Sequence, residues 1–255
     1  MLIDLFGRGY SDSSDLPHDS RLYTTEILLA ITSSPLAWTP KGFSLVGYSL
    51  GGGIAVDFAS YFPHLVKAVV LLAPAGLIRS YHFGWQSRLL YSPMIPENWL
   101  MWAVRRRLKG ASQQSSVPKE GNTEKVVSAE IKGNRDPSFE GAPLSKNRPG
   151  VTVADAVQWQ IDNHEGFVRS FMSSIKNASI QGRQETWRKL GKREDKVLIM
   201  AGKMDSVIVP RELREDAEEA AGSEKVEWRE IEGGHEFPIT RAADVVREIS
   251  GVWRI

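Results

Sequence analysis

Short apolar runs alternate along the chain with longer segments in which apolar residues recur every three or four positions. The longer segments have the spacing of helices and lie at residues 24–33, 153–179 and 241–252. The apolar runs have the length of buried strands and lie near residues 1–5, 43–47, 66–73 and 196–202. A further strand is predicted at residues 226–231, where apolar residues are interspersed with charged ones. Strands that alternate with helices are typical of a parallel sheet with helices on its faces. The pattern therefore predicts an α/β fold.

The pattern changes after Gly76. Residues 77–110 are rich in aromatic side chains at helical spacing, interrupted by Pro93 and Pro96. Residues 110–150 are polar and rich in Ser, Lys, Glu, Gly and Pro, which is typical of a mobile linker. We therefore predict a core formed by residues 1–76 and 166–255, and a helical insertion at residues 77–165 whose mobile segment covers about 110–150.

Composition and charge narrow the classes of protein that fit this pattern. The chain has 255 residues, 42% of them hydrophobic and 25% charged, so it can bury a sizeable core. Its net charge of +1 gives no electrostatic reason to expect nucleic acid or an anionic membrane surface as a partner. The absence of cysteine excludes disulfides and thiol chemistry. No apolar run approaches the length of a membrane span, so we expect a cytoplasmic protein, and its oligomeric state stays open.

The most informative motif is Gly47-Tyr48-Ser49-Leu50-Gly51, which joins the apolar run at 43–47 to a helical segment. A Gly-x-Ser-x-Gly turn between a strand and a helix is typical of a nucleophile elbow, where a strained backbone exposes the serine. We expect that only glycine fits at positions 47 and 51, because strand and helix nearly touch there and leave no room for a side chain. The start of a helix also favours the negative charge that develops in acyl transfer. The alternative interpretation of the motif is a glycine-rich turn without chemistry.

A serine hydroxyl needs a histidine base and an acid that orients it. His235 follows the run at 226–231 in a glycine-containing loop, and Asp205 follows the run at 196–202. Asp205 alone could be a helix cap or a turn residue. Because Ser49, Asp205 and His235 each follow a predicted strand, the three together predict a catalytic triad.

Two further segments support a family resemblance. Residues 2–12, Leu-Ile-Asp-Leu-Phe-Gly-Arg-Gly-Tyr-Ser-Asp, are similar to the fourth strand of α/β-hydrolases and the loop that borders their active site. Residues 66–76 resemble the sixth strand. With the elbow and the order Ser, Asp, His, the chain resembles the α/β-hydrolase superfamily of esterases, lipases and lactonases. The resemblance implies a mostly parallel sheet flanked by helices, with the insertion at 77–165 as a cap.

One part of the family pattern is missing. In α/β-hydrolases three strands normally precede the one matched by residues 1–5, and the loop after the third carries a His-Gly motif that forms half of the oxyanion hole. No His-Gly pair occurs before Ser49, so the resemblance assigns only the N–H of Leu50 to the oxyanion hole. The resemblance therefore implies an N-terminally truncated sheet. Either the chain is a fragment, or residues 1–5 pair with the strand at 43–47.

The predicted function is that of a serine hydrolase without metal or cofactor. Ser49 would attack the carbonyl of an ester, lactone or thioester of an apolar small molecule and form an acyl-enzyme. Hydrolysis of carbon–carbon bonds and acyl transfer use the same triad and stay open. The alternative from another class is a non-catalytic or weakly active binding protein with a hydrolase fold.

Aromatic residues are the candidates for binding such a substrate. The alternative for most of them is ordinary packing between helices and core. The predicted substrate-binding residues are Phe6, Tyr48, Trp85, Trp99, Trp102 and Trp159.

Overall fold

A computed structural model provides the structure of the protein. It describes residues 1–82, 99, 101–102, 104–105, 141–145 and 147–253. Trp85 and most of the predicted mobile segment at about 110–150 lie outside these residues.

Four parallel strands form one sheet in the order β1-β2-β3-β4. Strand β3 is buried along its whole length, and β2 is buried at its carboxyl end, which explains their continuous apolar sequences. In the described part of the chain only β2 pairs with β1, and Val46 of β1 is 47% exposed. The strands are β1 (Phe43–Tyr48), β2 (Val66–Leu72), β3 (Val197–Gly202) and β4 (Val226–Ile231).

Helices flank this sheet, which confirms the predicted α/β class. Helix α2 packs on β1 and β2, and the last helix packs on β3 and β4. The helices include α1 (Ser20–Ser33), α2 (Leu50–Tyr61), α3 (Val153–Asn163), α4 (Phe167–Asn177), α5 (Gln184–Leu190), α6 (Pro210–Ala221), α7 (Phe237–Thr240) and α8 (Ala242–Trp253).

The strand predicted at residues 1–5 is wrong. These residues have no regular structure, and Met1 and Leu2 are 57% and 101% exposed. A strand needs a neighbour for its backbone N–H and C=O groups, and no described strand pairs with this segment. Pairing of residues 1–5 with β1 is therefore wrong as well.

The single helix predicted at 153–179 is two helices, α3 and α4. A capping box between Thr152 and Asp155 starts α3. Between the helices the ring of His164 hydrogen-bonds the carbonyl of Ser11 at 2.9 Å. A Cβ built on Gly166 would lie 2.1 Å from the Cβ of Ser13, so glycine is required where this loop approaches. The break thus depends on a segment that is distant in sequence.

Contacts between residues group the chain into two compact units. The first contains Met1–His18 and the described part of Arg79–Asn177, and the second contains Asp19–Ile78 and Ala178–Ile255. All four strands belong to the second unit. The sequence prediction assigned residues 1–18 to the core together with the strands, whereas here they group with α3 and α4. The function of residues 77–165 as a cap stays a prediction.

Hydrogen bonds to serines of α4 explain why Met1–His18 belongs to the first unit. Ser13 and Ser170 share a hydrogen bond of 2.7 Å, and Arg8 donates to Ser174 at 2.9 Å. His18 is buried. Burial and the nearby Arg8 charge lower its pKa, against the opposing effect of hydrogen bonds to backbone. His18 is therefore a neutral packing residue at pH 7.

Candidate active site

Ser49 lies between β1 and α2 with a strained backbone. Its φ of 52° and ψ of −119° belong to a region that non-glycine residues rarely adopt, at a cost of about 1–3 kcal/mol. Two hydrogen bonds of 2.9 Å hold this conformation: the Ser49 N–H donates to the carbonyl of Leu72, and the Ser49 carbonyl accepts from the N–H of Ala75. The end of β2 and the loop after it therefore fix the turn that presents the hydroxyl.

The glycines of the motif have different roles from those expected. A Cβ on Gly47 would lie 2.3 Å from the carbonyl oxygen of Gly51, so Gly47 must be glycine. The same expectation for Gly51 is wrong, because no atom beyond its chain neighbours and the nearby backbone of α2 lies within 4 Å of its Cβ position. The close approaches to α2 occur at the next two glycines. A Cβ built on Gly52 would lie 2.7 Å from Pro74, and one built on Gly53 would lie 2.5 Å from the carbonyl oxygen of Ser179. The loop after β2 and the loop before α5 therefore pack closely against α2. The Gly-x-Ser-x-Gly motif alone does not indicate this packing.

We expect Gly47→Ala to destabilise the protein by about 1–3 kcal/mol or more, because backbone rather than a flexible side chain meets the new methyl group. Gly51→Ala is the matched control. It adds the same methyl group to an open position in a helix and is expected to change stability by about 1 kcal/mol or less, in the stabilising direction. Chemical denaturation of the two variants measures the difference. Equal stabilities would contradict the close approach at Gly47.

Asp205, His235 and Ser49 form one row of hydrogen bonds. The Nδ1 of His235 lies 2.7 Å from Oδ2 of Asp205, and its Nε2 lies 2.9 Å from Oγ of Ser49. A carboxylate only accepts, so we assign the proton to Nδ1, which leaves Nε2 to accept the serine proton. Asp205 is 5% exposed, and its Oδ1 accepts the N–H groups of Val207 and Ile208, both at 2.8 Å. The carboxylate is thus fixed by its own loop.

The loop after β4 has to cross the sheet to bring His235 to Ser49. A Cβ on Gly202 would lie 2.2 Å from the carbonyl oxygen of Gly234, so the loop passes directly over the end of β3. Gly233 has a positive φ of 120° at the bend. Gly233 and Gly234 are also the residues from which the sequence predicted a glycine-containing loop before His235.

Tyr48 and Leu50 flank the serine on either side. The hydroxyl of Tyr48 donates to the backbone carbonyl of His235 at 2.9 Å. Leu50 is the first residue of α2, and the first N–H groups of a helix have no carbonyl one turn earlier to bind. The Leu50 N–H can therefore stabilise an anion beside Ser49.

The aromatic candidates of the first unit are partly exposed. Trp99 and Trp102 are 71% and 56% exposed, with ring centroids 6.1 Å apart. Trp159 is 49% exposed and lies beside Tyr10, with ring centroids 6.5 Å apart. Phe6 is half-buried. Their binding of substrate stays a prediction.

A buried ion pair that was not predicted from the sequence joins Asp57 of α2 to Arg183, the residue before α5. Asp57 of α2 is fully buried, and it accepts hydrogen bonds from Ser179 and from the guanidinium of Arg183, whose Nε lies 3.1 Å away. Arg183 also donates to the hydroxyl of Tyr61 at 3.0 Å. Burial lowers the pKa of Arg183, but the bonds to Asp57 outweigh it and the pKa is raised. An aspartate within an otherwise mostly apolar helical sequence could have indicated this pair, because a buried charge needs a partner.

Within the described residues, no group of histidine, cysteine, aspartate and glutamate side chains could hold a metal ion. No helix in the same residues is long and apolar enough to cross a membrane.

A parallel sheet with a strained serine between strand and helix defines the class of α/β hydrolases. A family model described as the alpha/beta hydrolase fold matches residues 1–242. This chain belongs to that family.

One curated relative is a serine hydrolase-like protein of Dictyostelium discoideum. It is 32% identical over 93 residues, which are 34% of this chain and 25% of the relative. An uncharacterized protein of Mycobacterium bovis is 32% identical over 78 residues, 30% of this chain and 21% of the relative. The matches thus span a quarter or less of the length of these relatives.

Solved structures are similar over almost the whole chain. A 2-hydroxy-6-oxo-6-phenylhexa-2,4-dienoate hydrolase from Rhodococcus has a TM-score of 0.61 at 17% identity, covering 99% of this chain and 78% of the other. An esterase from Rhodococcus has a TM-score of 0.55 at 20% identity, covering 96% and 78%. A thioesterase domain of the curacin biosynthetic pathway has a TM-score of 0.53 at 14% identity, covering 96% and 78%. At these identities the similarity shows the fold.

Proposed function

We propose that the protein is a serine hydrolase that cleaves a carboxylic ester, lactone or thioester of an apolar small molecule. The observation that carries this proposal is the row of hydrogen bonds from Asp205 through His235 to Ser49, of 2.7 and 2.9 Å. With the proton placed on Nδ1 of His235, Nε2 accepts from the serine hydroxyl, which is the direction that removal of the serine proton requires.

The reaction would proceed in two halves. Ser49 Oγ attacks the carbonyl carbon while Nε2 of His235 takes its proton, and Asp205 stabilises the imidazolium that forms. The Leu50 N–H donates to the oxyanion, and His235 then protonates the leaving group. Water, deprotonated by His235, attacks the acyl-enzyme and releases the carboxylic acid. Ser49 regains its proton from the imidazolium, so the enzyme is restored.

A second candidate is hydrolysis of a carbon–carbon bond with the same three residues. The similar structure of a dienoate hydrolase supports testing it. In that reaction the bond that breaks joins two carbon atoms. The departing fragment must therefore be protonated at carbon, whereas the leaving group of an ester or thioester is protonated at oxygen or sulfur. The two candidates therefore differ in substrate and share the nucleophile.

The test combines a serine-directed probe with a panel of substrates. A fluorophosphonate should label the protein, and peptide mapping should place the label on Ser49. The panel contains p-nitrophenyl esters of increasing chain length, aliphatic thioesters, lactones and a 2-hydroxy-6-oxo-dienoate. Turnover of esters, thioesters or lactones supports the first candidate, and turnover of the dienoate alone supports the second. Absence of both labelling and turnover would contradict catalysis and favour a binding protein.

A further inference from the structure

Tyr48 is the last residue of β1 and directly precedes Ser49. It makes two different contacts with one residue of the loop after β4. Its hydroxyl donates a hydrogen bond of 2.9 Å to the backbone carbonyl of His235. Its ring lies against the imidazole, with ring centroids 5.1 Å apart and planes inclined by 36°. One side chain therefore restrains both the backbone and the ring of His235.

The loop that carries His235 needs such a restraint. Strands β1 and β4 lie at opposite ends of the four-stranded order, so the loop must pass the ends of β3 and β2 to reach Ser49. Gly233 and Gly234 precede the histidine, and glycine gives an unrestrained backbone many conformations. A hydrogen bond of 3.0 Å from the N–H of Met204 to the carbonyl of Gly233 fixes the start of this path. Tyr48 fixes its far end.

These contacts are not the ones expected of a substrate-binding residue, which is the role predicted for Tyr48. A tyrosine that binds substrate offers its hydroxyl or a ring face to the ligand. Here the hydroxyl is bonded to His235 and the ring packs against the imidazole. Substrate binding by Tyr48 stays a prediction, and these two contacts support a different role.

We propose that Tyr48 is a positioning residue that holds His235 in line between Asp205 and Ser49. The hydroxyl sets the position of the His235 backbone, and the ring sets the tilt of the imidazole. The effect on turnover rests on the proposed function, whereas the effect on the hydrogen bonds of His235 does not.

The experiment compares Tyr48→Phe, which removes only the hydroxyl, with Tyr48→Leu, which removes the ring as well. Tyr61→Phe is the matched control, because it removes a hydroxyl that accepts from Arg183 in the same unit. The first readout is the low-field proton resonance of the Nδ1–H between His235 and Asp205. Its assignment comes from its loss in His235→Gln. The second readout is kcat and KM for an ester identified by the substrate panel. Circular dichroism and thermal melting verify that each variant is folded.

We expect the resonance to broaden in Tyr48→Phe, to disappear in Tyr48→Leu and to persist in Tyr61→Phe. Loss of one hydrogen bond should lower kcat by up to about tenfold. Loss of both contacts should lower kcat on the order of 10²-fold, the effect of a catalytic group displaced by about 1 Å. KM should stay within about twofold in both variants, because a positioning residue acts on the chemical step.

Two results would overturn the inference. A raised KM with unchanged kcat would show that Tyr48 binds substrate. An unchanged resonance in folded Tyr48→Phe and Tyr48→Leu would show that His235 is positioned without it. If the protein hydrolyses nothing in the panel, the proposed function fails, and the resonance still decides the role of Tyr48.

Discussion

Ser49→Ala is expected to lower kcat/KM for hydrolysis on the order of 10⁵-fold or more while leaving the stability almost unchanged. In the proposed mechanism the three residues act as a unit, so loss of the nucleophile removes the function of His235 and Asp205 as well. The Ser49 side chain makes no cap hydrogen bond to α2, and alanine experiences the same backbone strain at a φ of 52°. Kinetics with an ester from the panel and a thermal melt measure both quantities.

Ser44→Ala is the matched control for this prediction, because Ser44 is an exposed serine on β1, the strand that directly precedes Ser49. It should retain both turnover and labelling by the fluorophosphonate. Labelling that persists in Ser49→Ala would place the nucleophile elsewhere. A large loss of stability in Ser49→Ala would mean that the hydroxyl contributes to the fold.

Arg183→Met is expected to destabilise the protein by about 3–5 kcal/mol, since it leaves the buried Asp57 carboxylate without its counter-charge. Asp57 is 0% exposed, whereas the Arg183 side chain is 26% exposed and can reach water. Asp57→Leu should therefore cost less than Arg183→Met. For a chain of this size the melting temperature should fall by roughly 2–4 °C per kcal/mol.

The matched control is Arg188→Met, which breaks the exposed pair of Arg188 with Glu185 in α5. A surface pair contributes about 0–1 kcal/mol, so this variant should melt close to the wild type. The double variant Asp57→Leu with Arg183→Met should recover part of the lost stability, because no unpaired charge remains buried. Equal losses for Arg183→Met and Arg188→Met would contradict a structural role of the buried pair.

The sequence predicted the features that depend on local chemistry. Strand β3 and the carboxyl-terminal part of β2 are continuous apolar runs because they are buried, and such runs are visible without a structure. The three residues that meet at the candidate site were predicted because each follows a strand, and the ends of parallel strands share one edge of a sheet.

The features that sequence analysis missed depend on residues distant in the chain. Residues 1–5 have the composition of a strand, but a strand forms only beside a partner. The break between α3 and α4 is set by the approach of Ser13 to Gly166. Asp57 and Arg183 are 126 positions apart, and Tyr48 and His235 are 187 apart. No local pattern specifies such pairs.

The position of β1 in the sheet has a consequence for how the protein behaves at high concentration. Its sequence, Phe-Ser-Leu-Val-Gly-Tyr, contains no charge, and only one side of the strand is paired within the described residues. Strand β4, the last in the order, carries Glu227, Arg229 and Glu230. Charges on an outer strand discourage its pairing with other molecules, and an uncharged strand lacks that protection. Within the described residues β1 is therefore the outer strand less protected against strand addition, and a strand added from another molecule would lie beside the strand that leads to Ser49.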